Sequence, residues 1–184
     1  CVSISQDQNV LAVIETGSGT TFSAGRTVLP AEVSSGPVAL RQTRIPELQV
    51  ADALANLTVP IIVSINGDAL DHGLELALAG DIRICAKSAR FGLTDLLKPG
   101  CFPWDGGTQR LPRLVGSAWA ADMLLTSRVI SASEALGIGL VNRVVSSGEL
   151  AQETQRLANL GAAGGPIAAR YAKEAVMKGS EMSL

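Results

Sequence analysis

The sequence predicts an α/β fold, and three observations carry that expectation. Two short apolar runs, VLAVIET (Val10–Thr16) and PIIVSI (Pro60–Ile65), have no helical stripe and read as buried strands. The helix-forming run GLELALA (Gly73–Ala79) lies between PIIVSI and the strand-like IRIC (Ile82–Cys85), and strand–turn–helix–strand order implies βαβ units with right-handed crossovers. From Gly106 onward the chain reads as mostly helical.

The first strand, Val10–Thr16, runs into GSGTTFSAG, whose glycines mark a turn and a close backbone approach. Residues 26–46 hold Pro30, Gly36, Pro37 and Pro46 and read as a surface loop, ordered or floppy. Leu48, Ala51, Leu54 and Leu57 recur every three residues, which is the stripe of an amphipathic helix. That helix is expected to end at Thr58–Val59, because the residue before Pro60 disfavours helix. NGD then turns the chain after PIIVSI, and Ser88–Phe91 is strand-like.

Further along, GGTQRLPRLVG opens a helix and Ala118–Leu125 forms another. Ser131 followed by Glu134 is a capping-box pattern at the head of SASEALGIG. Leu140–Val145 reads as a brief strand. Ala151–Leu160 and Pro166–Lys178 are further helices, the second with proline at its first position. The start at Cys1 without methionine and the stop at EMSL suggest a piece of a longer chain.

At 184 residues the chain suits one domain with a sizeable core. It is 47% hydrophobic with a mean hydropathy of +0.29, yet only 3% aromatic, so its core is aliphatic. A net charge of −2 offers no basic stripe for nucleic acid. Three widely spaced cysteines (Cys1, Cys85, Cys101), without a CxxC pair, and the single histidine His72 argue against a zinc site and for a reducing compartment. No apolar run reaches the ~20 residues that span a bilayer.

Two carboxylates stand beside glycine-rich backbone. Glu75 lies just inside the helix that begins after Asp71–Gly73, close to amides that a first turn leaves unpaired. Such donors also hold a developing enolate oxygen, at about 2.7–4 kcal/mol each. The plainer role for Glu75 is a solvent-facing glutamate at a helix N-terminus. Asp95 follows FGLT, where an aspartate most simply serves a turn or cap. Together, Glu75 and Asp95 are candidates to hold one water, one removing a proton as the other delivers one. Asp105 in PWDGG is a rival acid, with capping of the helix it precedes as its plainer role. Trp104 and Phe102 suit a pocket wall or the core equally, and Cys101 has no identifiable activating partner.

FSAG (Phe22–Gly25), PIIVSINGDALDHGLELALAGDIRI, FGLTD, GGTQRLPRLVG and SASEALGIGLVNRVV resemble, in order, successive landmarks of the enoyl-CoA hydratase/isomerase (crotonase) family. They span most of residues 10–145, and Pro166–Lys178 resembles the helix that follows. The resemblance implies the crotonase-like (ClpP/crotonase) spiral of ββα units, with a core over residues 1–115 lacking its N-terminal part and a truncated helical C-terminal region over residues 116–184. It implies an acyl-CoA substrate whose thioester carbonyl sits between the backbone N–H groups of Arg26 and His72. Ala24, Gly25, Thr27, Leu70, Gly73 and Thr94 are the implied substrate contacts, and the two hydratase carboxylates fall on Glu75 and Asp95. Neither metal nor redox cofactor is implied; coenzyme A enters as part of the substrate.

The expected activity is hydration of a 2-enoyl-CoA, or a cyclic dienoyl-CoA, to a 3-hydroxyacyl-CoA. A double-bond isomerase is the alternative, and an inactive acyl-CoA-binding or structural subunit is an alternative of another class. A homotrimer or dimer of trimers is implied, located in the cytoplasm or, in a eukaryote, the mitochondrion, with no nucleic-acid or membrane partner. The family usually has small residues where Arg26, Asp71 and His72 stand. His72 is therefore either a substrate contact or a turn histidine pointing away. Asp95 replaces the usual glutamate, shortening its reach by ~1.5 Å. The interval from Phe91 to Gly106 is one residue longer than the family pattern, so the second acid falls on Asp95 or the register moves to Leu96.

Overall fold

The computed structural model describes residues 1–23, 25, 49–97 and 102–179. Its elements in chain order begin with α1 (Val2–Gln6), β1 (Val13–Thr16), α2 (Val50–Ala55), β2 (Ile61–Ile65), β3 (Ala69–Leu70), α3 (His72–Leu78), β4 (Ile82–Ala86) and β5 (Arg90–Gly92). A 3₁₀ turn at Asp95–Leu97 precedes α4 (Gly107–Val115), α5 (Ser117–Thr126), β6 (Ile130–Ser131), α6 (Ala132–Gly137), β7 (Arg143–Val145), α7 (Leu150–Ala163) and α8 (Pro166–Gly179).

The strands form two sheets. One is parallel, in the order β1-β2-β4-β7, and the other runs β3-β5-β6. In the second sheet β3 and β5 are parallel while β5 and β6 are antiparallel. The chain thus alternates between sheets: β2 in the first, β3 in the second, helix α3, β4 in the first, β5 in the second. That is a spiral of ββα units, as the family resemblance implies, in which the βαβ unit read from the residue pattern is interrupted by a short strand given to the second sheet. The preceding turn follows the same path, since Ser23 bridges Ala69 in parallel after β1 leaves the first sheet.

Strand β2 explains why PIIVSI carries no alternation. All five of its residues are buried between β1 and β4, with helices on both faces. Ile61, Val63 and Ile65 face the larger core with Leu74, Ala77 and Phe91, while Ile62 joins Ile84, Leu150 and Leu157 in a smaller one. The few aromatics make this core chiefly aliphatic, with Phe91 the bulky exception.

Several expectations shift at their edges. β1 begins at Val13 rather than Val10, and α2 ends at Ala55, several residues before Pro60. Helix α1 and the two-residue β6 carry no sequence signal strong enough to be read. Residues 26–46, Leu48 and Cys101 lie outside the described residues. The capping box at α6 forms as expected, with the Ser131 hydroxyl accepting from the Glu134 amide and Glu134 accepting from the Ser131 amide. Arg83, buried in β4, donates through Nε to the Leu140 carbonyl at 2.8 Å and through Nη1 to the Gly80 carbonyl at 2.6 Å. It thereby ties the segment leading to β7 onto the sheet.

Asn66 and Gly67 after β2 hold the turn that leads toward Ser23. The Asn66 side chain accepts from the Gly17 amide at 3.2 Å and donates to the Gly19 carbonyl at 2.9 Å. A Cβ on Gly67 would stand 2.0 Å from the Thr20 carbonyl oxygen, so only glycine admits this backbone contact. Gly67→Ala is expected to destabilise the fold by about 1–3 kcal/mol, the usual cost of overpacking. A lower urea midpoint with an unchanged slope is the expected result; an unchanged midpoint would show that the two turns can part freely.

Candidate functional site

Helix α3 begins at the end of β3 and brings His72 and Glu75 to the same face, three residues apart. Asp71, immediately before it, adopts φ 50°, an uncommon conformation for a side-chain-bearing residue. Two groups fix it there. Its amide donates to the Gly92 carbonyl at 2.8 Å, and its carbonyl accepts from the Leu74 and Glu75 amides. The buried carboxylate accepts from the Thr94 amide and hydroxyl, tying the end of β5 to the start of α3.

Glu75 is fully buried. Its Oε1 accepts from the amides of Asp105 and Gly107, each at 2.8 Å. The helix N-terminus that holds this carboxylate is therefore that of α4, across the core, rather than that of its own helix. The solvent-facing role is excluded by burial. A Cβ on Gly107 would stand 2.9 Å from Glu75 Oε1, so glycine at the start of α4 is what lets the carboxylate reach the amides.

The second oxygen, Oε2, is buried and has no hydrogen-bond partner among the described residues. Burial pushes the carboxyl up to about 7, against the pull of the Gly107 and Asp105 amides and with help from the charges of Asp105 and Asp95. A carboxyl with one oxygen fixed, one unengaged and a proton affinity near neutrality is equipped for general acid–base work.

Asp105 is also buried, but its carboxylate is occupied. Oδ2 accepts from the Ala51 amide at 2.8 Å and from His72 Nε2 at 2.8 Å, and Oδ1 accepts from the Asp52 amide at 3.3 Å. It caps α2, not the helix it precedes. Arg110 secures the same corner, donating to the Asp105 carbonyl at 2.7 Å and pairing with Asp52. His72 is the first residue of α3 with its ring turned to Asp105, so it is neither a solvent-facing turn histidine nor an isolated one.

Asp95 is half-buried at the start of the 3₁₀ turn, near enough for its charge to raise the proton affinity of Glu75, whereas Leu96 is exposed. Thr94 is engaged by Asp71. Gly25 has φ 91° and lies against Asp71, with a Cβ position 3.1 Å from that of Asp71. Gly73 packs against Ser23, where an added Cβ would approach the serine Cβ to 2.4 Å, and Leu70 donates its amide to the Ser23 carbonyl at 3.0 Å. Ala24, Arg26 and Thr27 lie outside the described residues. Phe102 is 57% exposed and so does not belong to the core, while Trp104 is half-buried.

The sequence reading missed the Asp71–Thr94 and Asp105–His72 pairs. The HGLE spacing, which puts His72 and Glu75 on one helical face, was the available clue to the second. The thiol of Cys85 is buried in β4 and pushed up to about 12 by burial, which leaves it inert. Among the described residues, no group of three or more His, Cys, Asp or Glu side chains is placed to hold a metal ion. No helix among them is long and apolar enough to cross a membrane.

The two-sheet ββα spiral holds a buried, backbone-bound carboxyl, and comparison with known proteins gives the family. The model of the enoyl-CoA hydratase/isomerase family matches residues 2–184. A short-chain-enoyl-CoA hydratase of Clostridium acetobutylicum is 38% identical over 182 residues, covering 98% of this chain and 69% of that relative. A crotonyl-CoA hydratase of Syntrophomonas wolfei is also 38% identical, with the same coverage of 98% and 69%. The crystal structure of an enoyl-CoA hydratase from Bacillus anthracis superimposes with a TM-score of 0.89 at 37% identity, over 99% of this chain and 70% of that one. The chain belongs to the enoyl-CoA hydratase/isomerase family and has its crotonase fold.

The raised proton affinity of Glu75 has a consequence for stability. Its carboxyl ordinarily titrates near 4.5 and is pushed to about 7 in the fold, so the unfolded chain releases this proton first as pH rises. The contribution to stability is fully present below about 4.5 and is lost as pH rises through about 7. Glu15 on β1, also pushed up to about 7 by burial, adds a second contribution of the same sign. Urea unfolding between pH 4.5 and 8 should show Glu75→Gln gaining on the wild type as pH rises, with part of the slope left by Glu15. A wild-type-to-variant difference independent of pH would contradict the assignment.

Proposed function

We propose that this chain hydrates a 2-enoyl-CoA to a 3-hydroxyacyl-CoA. The observation that carries the reading is Glu75, buried, held by two amides through one oxygen and, among the described residues, unengaged at the other. The relatives named as hydratases support it over double-bond isomerisation.

In this reading the backbone N–H groups of Arg26 and His72 receive the thioester oxygen. Charge that develops on that oxygen as water adds is stabilised there, at about 2.7–4 kcal/mol per donor. Glu75 and Asp95 hold the water between them. The water oxygen bonds to the β carbon of the enoyl group, one carboxyl takes up the remaining water proton and the other delivers a proton to the α carbon. The product gains a hydroxyl from water and a proton from the acid, and the water proton taken by the base replaces the one the acid gave before the next turnover. No external oxidant or reductant is needed, and coenzyme A stays attached as part of the substrate. The half-burial of Asp95 and its charge effect on Glu75 support it over Leu96 at this place. The hydrogen bonds of Asp105 to α2 and His72 support a positioning role for it.

Exposed apolar side chains on α8, with Ile167 and Tyr171 four residues apart and each about two-thirds exposed (69% and 68%), support assembly of copies as a trimer or dimer of trimers. A cytoplasmic location, or a mitochondrial one in a eukaryote, goes with an acyl-CoA substrate.

Loss of absorbance with crotonyl-CoA tests the activity. Glu75→Gln is expected to lower kcat at least 100-fold with little change in KM, since a general acid–base group acts on the transition state. Turnover of a 3-enoyl-CoA alone, surviving Glu75→Gln, would replace hydration by isomerisation. Sedimentation at micromolar concentration should give trimers or hexamers; monomers alone would remove the assembly.

A further inference from the structure

We propose that Asp105 and His72 form a positioning pair that ties the carboxyl of Glu75 to the backbone N–H of His72, so that the acid–base group and the oxyanion donor are set by one contact. This rests on the hydratase reading of the site.

The geometry converges on Asp105 from both sides. Its amide donates to Glu75 Oε1 at 2.8 Å, and its carboxylate accepts from His72 Nε2 at 2.8 Å. Oδ2 also accepts from the Ala51 amide, and since an ionised carboxylate oxygen only accepts, the facing imidazole nitrogen is the donor to it. His72 and Glu75 are three residues apart on α3, so both reach the 105–107 segment from one face: Glu75 grips its backbone and His72 its side chain.

The pair is sheltered. Only 12% of the His72 side chain and none of the Asp105 side chain is exposed, so water competes little for the bond. Asp105 is itself anchored, by the Ala51 and Asp52 amides at the start of α2 and by Arg110 at its carbonyl. Three elements that carry or support the site therefore meet at one residue. Rotation of the first turn of α3 would move the His72 amide and is opposed by the imidazole bond. Movement of the 105–107 segment would release Glu75 and is opposed by the same bond. A displacement of ~1 Å at such a site costs ~100-fold in rate, which sets the scale of what the contact controls.

The charges facing Glu75 include Asp105, the larger contributor, and Asp95. Neutralising Asp105 removes one of the two influences that raise the Glu75 proton affinity by charge. The positioning role and the electrostatic one thus have separate readouts.

His72 is the only histidine in the chain, so a ¹⁵N-labelled protein shows one imidazole ring. The wild type should show a hydrogen-bonded Nε2–H signal that Asp105→Asn abolishes or shifts, and that butyryl-CoA, which has no double bond to hydrate, perturbs. His72→Ala and Asp105→Asn should each lower kcat for crotonyl-CoA about 10- to 100-fold with KM within about twofold. The double variant should be no worse than the poorer single one. The limb of the kcat–pH profile that titration of Glu75 near 7 produces should move to lower pH in Asp105→Asn. His72→Ala leaves Asp105 on α2, so a folding defect confined to Asp105→Asn does not decide the matter. Losses that multiply in the double variant, an unchanged kcat in His72→Ala, or a ring signal indifferent to Asp105→Asn would each overturn the pair. An inactive wild type would instead remove the hydratase reading, while the ring signal would still decide whether the contact exists and senses acyl-CoA.

Discussion

The pair of amides that receives Glu75 Oε1 is the constraint on which the site depends. A carboxyl with no solvent exposure survives in a folded protein only when its oxygens are hydrogen-bonded or its proton is retained, and here both devices operate. The amides of Asp105 and Gly107 come from the far side of the core, at the opening of α4, so Glu75 is held only while α3 and α4 remain packed. The glycine at 107 is part of that arrangement, because a side chain there would collide with the carboxylate. Stability and proton affinity are consequently set by the same contacts, and packing between two helices becomes a determinant of chemistry.

The same economy appears in the neighbouring acids. Asp71 and Asp105 are both buried, and each uses its carboxylate to join segments distant in sequence: Asp71 to Thr94 at the end of β5, Asp105 to the first turn of α2 and to His72. Buried carboxylates with such partners resist removal of either partner, since an orphaned charge in a dry environment costs several kcal/mol. Glu75 differs from these two in having an oxygen without a partner among the described residues. That difference separates a group available for chemistry from groups that hold position.

Much of this was legible in the chain. The continuous apolar run PIIVSI gave β2, the strand-like IRIC gave β4, the glycine-rich turn and helix formers gave α3, and the Ser131–Glu134 pattern gave the head of α6. Five ordered landmarks led to the family, which the matched family model and the hydratase relatives establish. What sequence could not carry was long-range pairing. Nothing local states that Asp105 caps a helix more than fifty residues earlier, or that the amides receiving Glu75 belong to α4. The positive φ of Asp71 was equally hidden, because the strain is supported by the distant Gly92 and Thr94 as well as by the Leu74 and Glu75 amides of the helix it opens. Short strands such as β6 are likewise made by their partner, here β5, and leave too few residues for a pattern.

Glu75 is a buried carboxyl pushed up to about 7, and in the proposed hydration it faces the acyl-CoA thioester. Carbon-13 NMR of glutamate side chains labelled at Cδ, recorded against pH with and without butyryl-CoA, tests it most directly. The resonance missing from Glu75→Gln should titrate near 7 and shift when the thioester binds. A midpoint near the ordinary 4.5, with no response to butyryl-CoA, would contradict it.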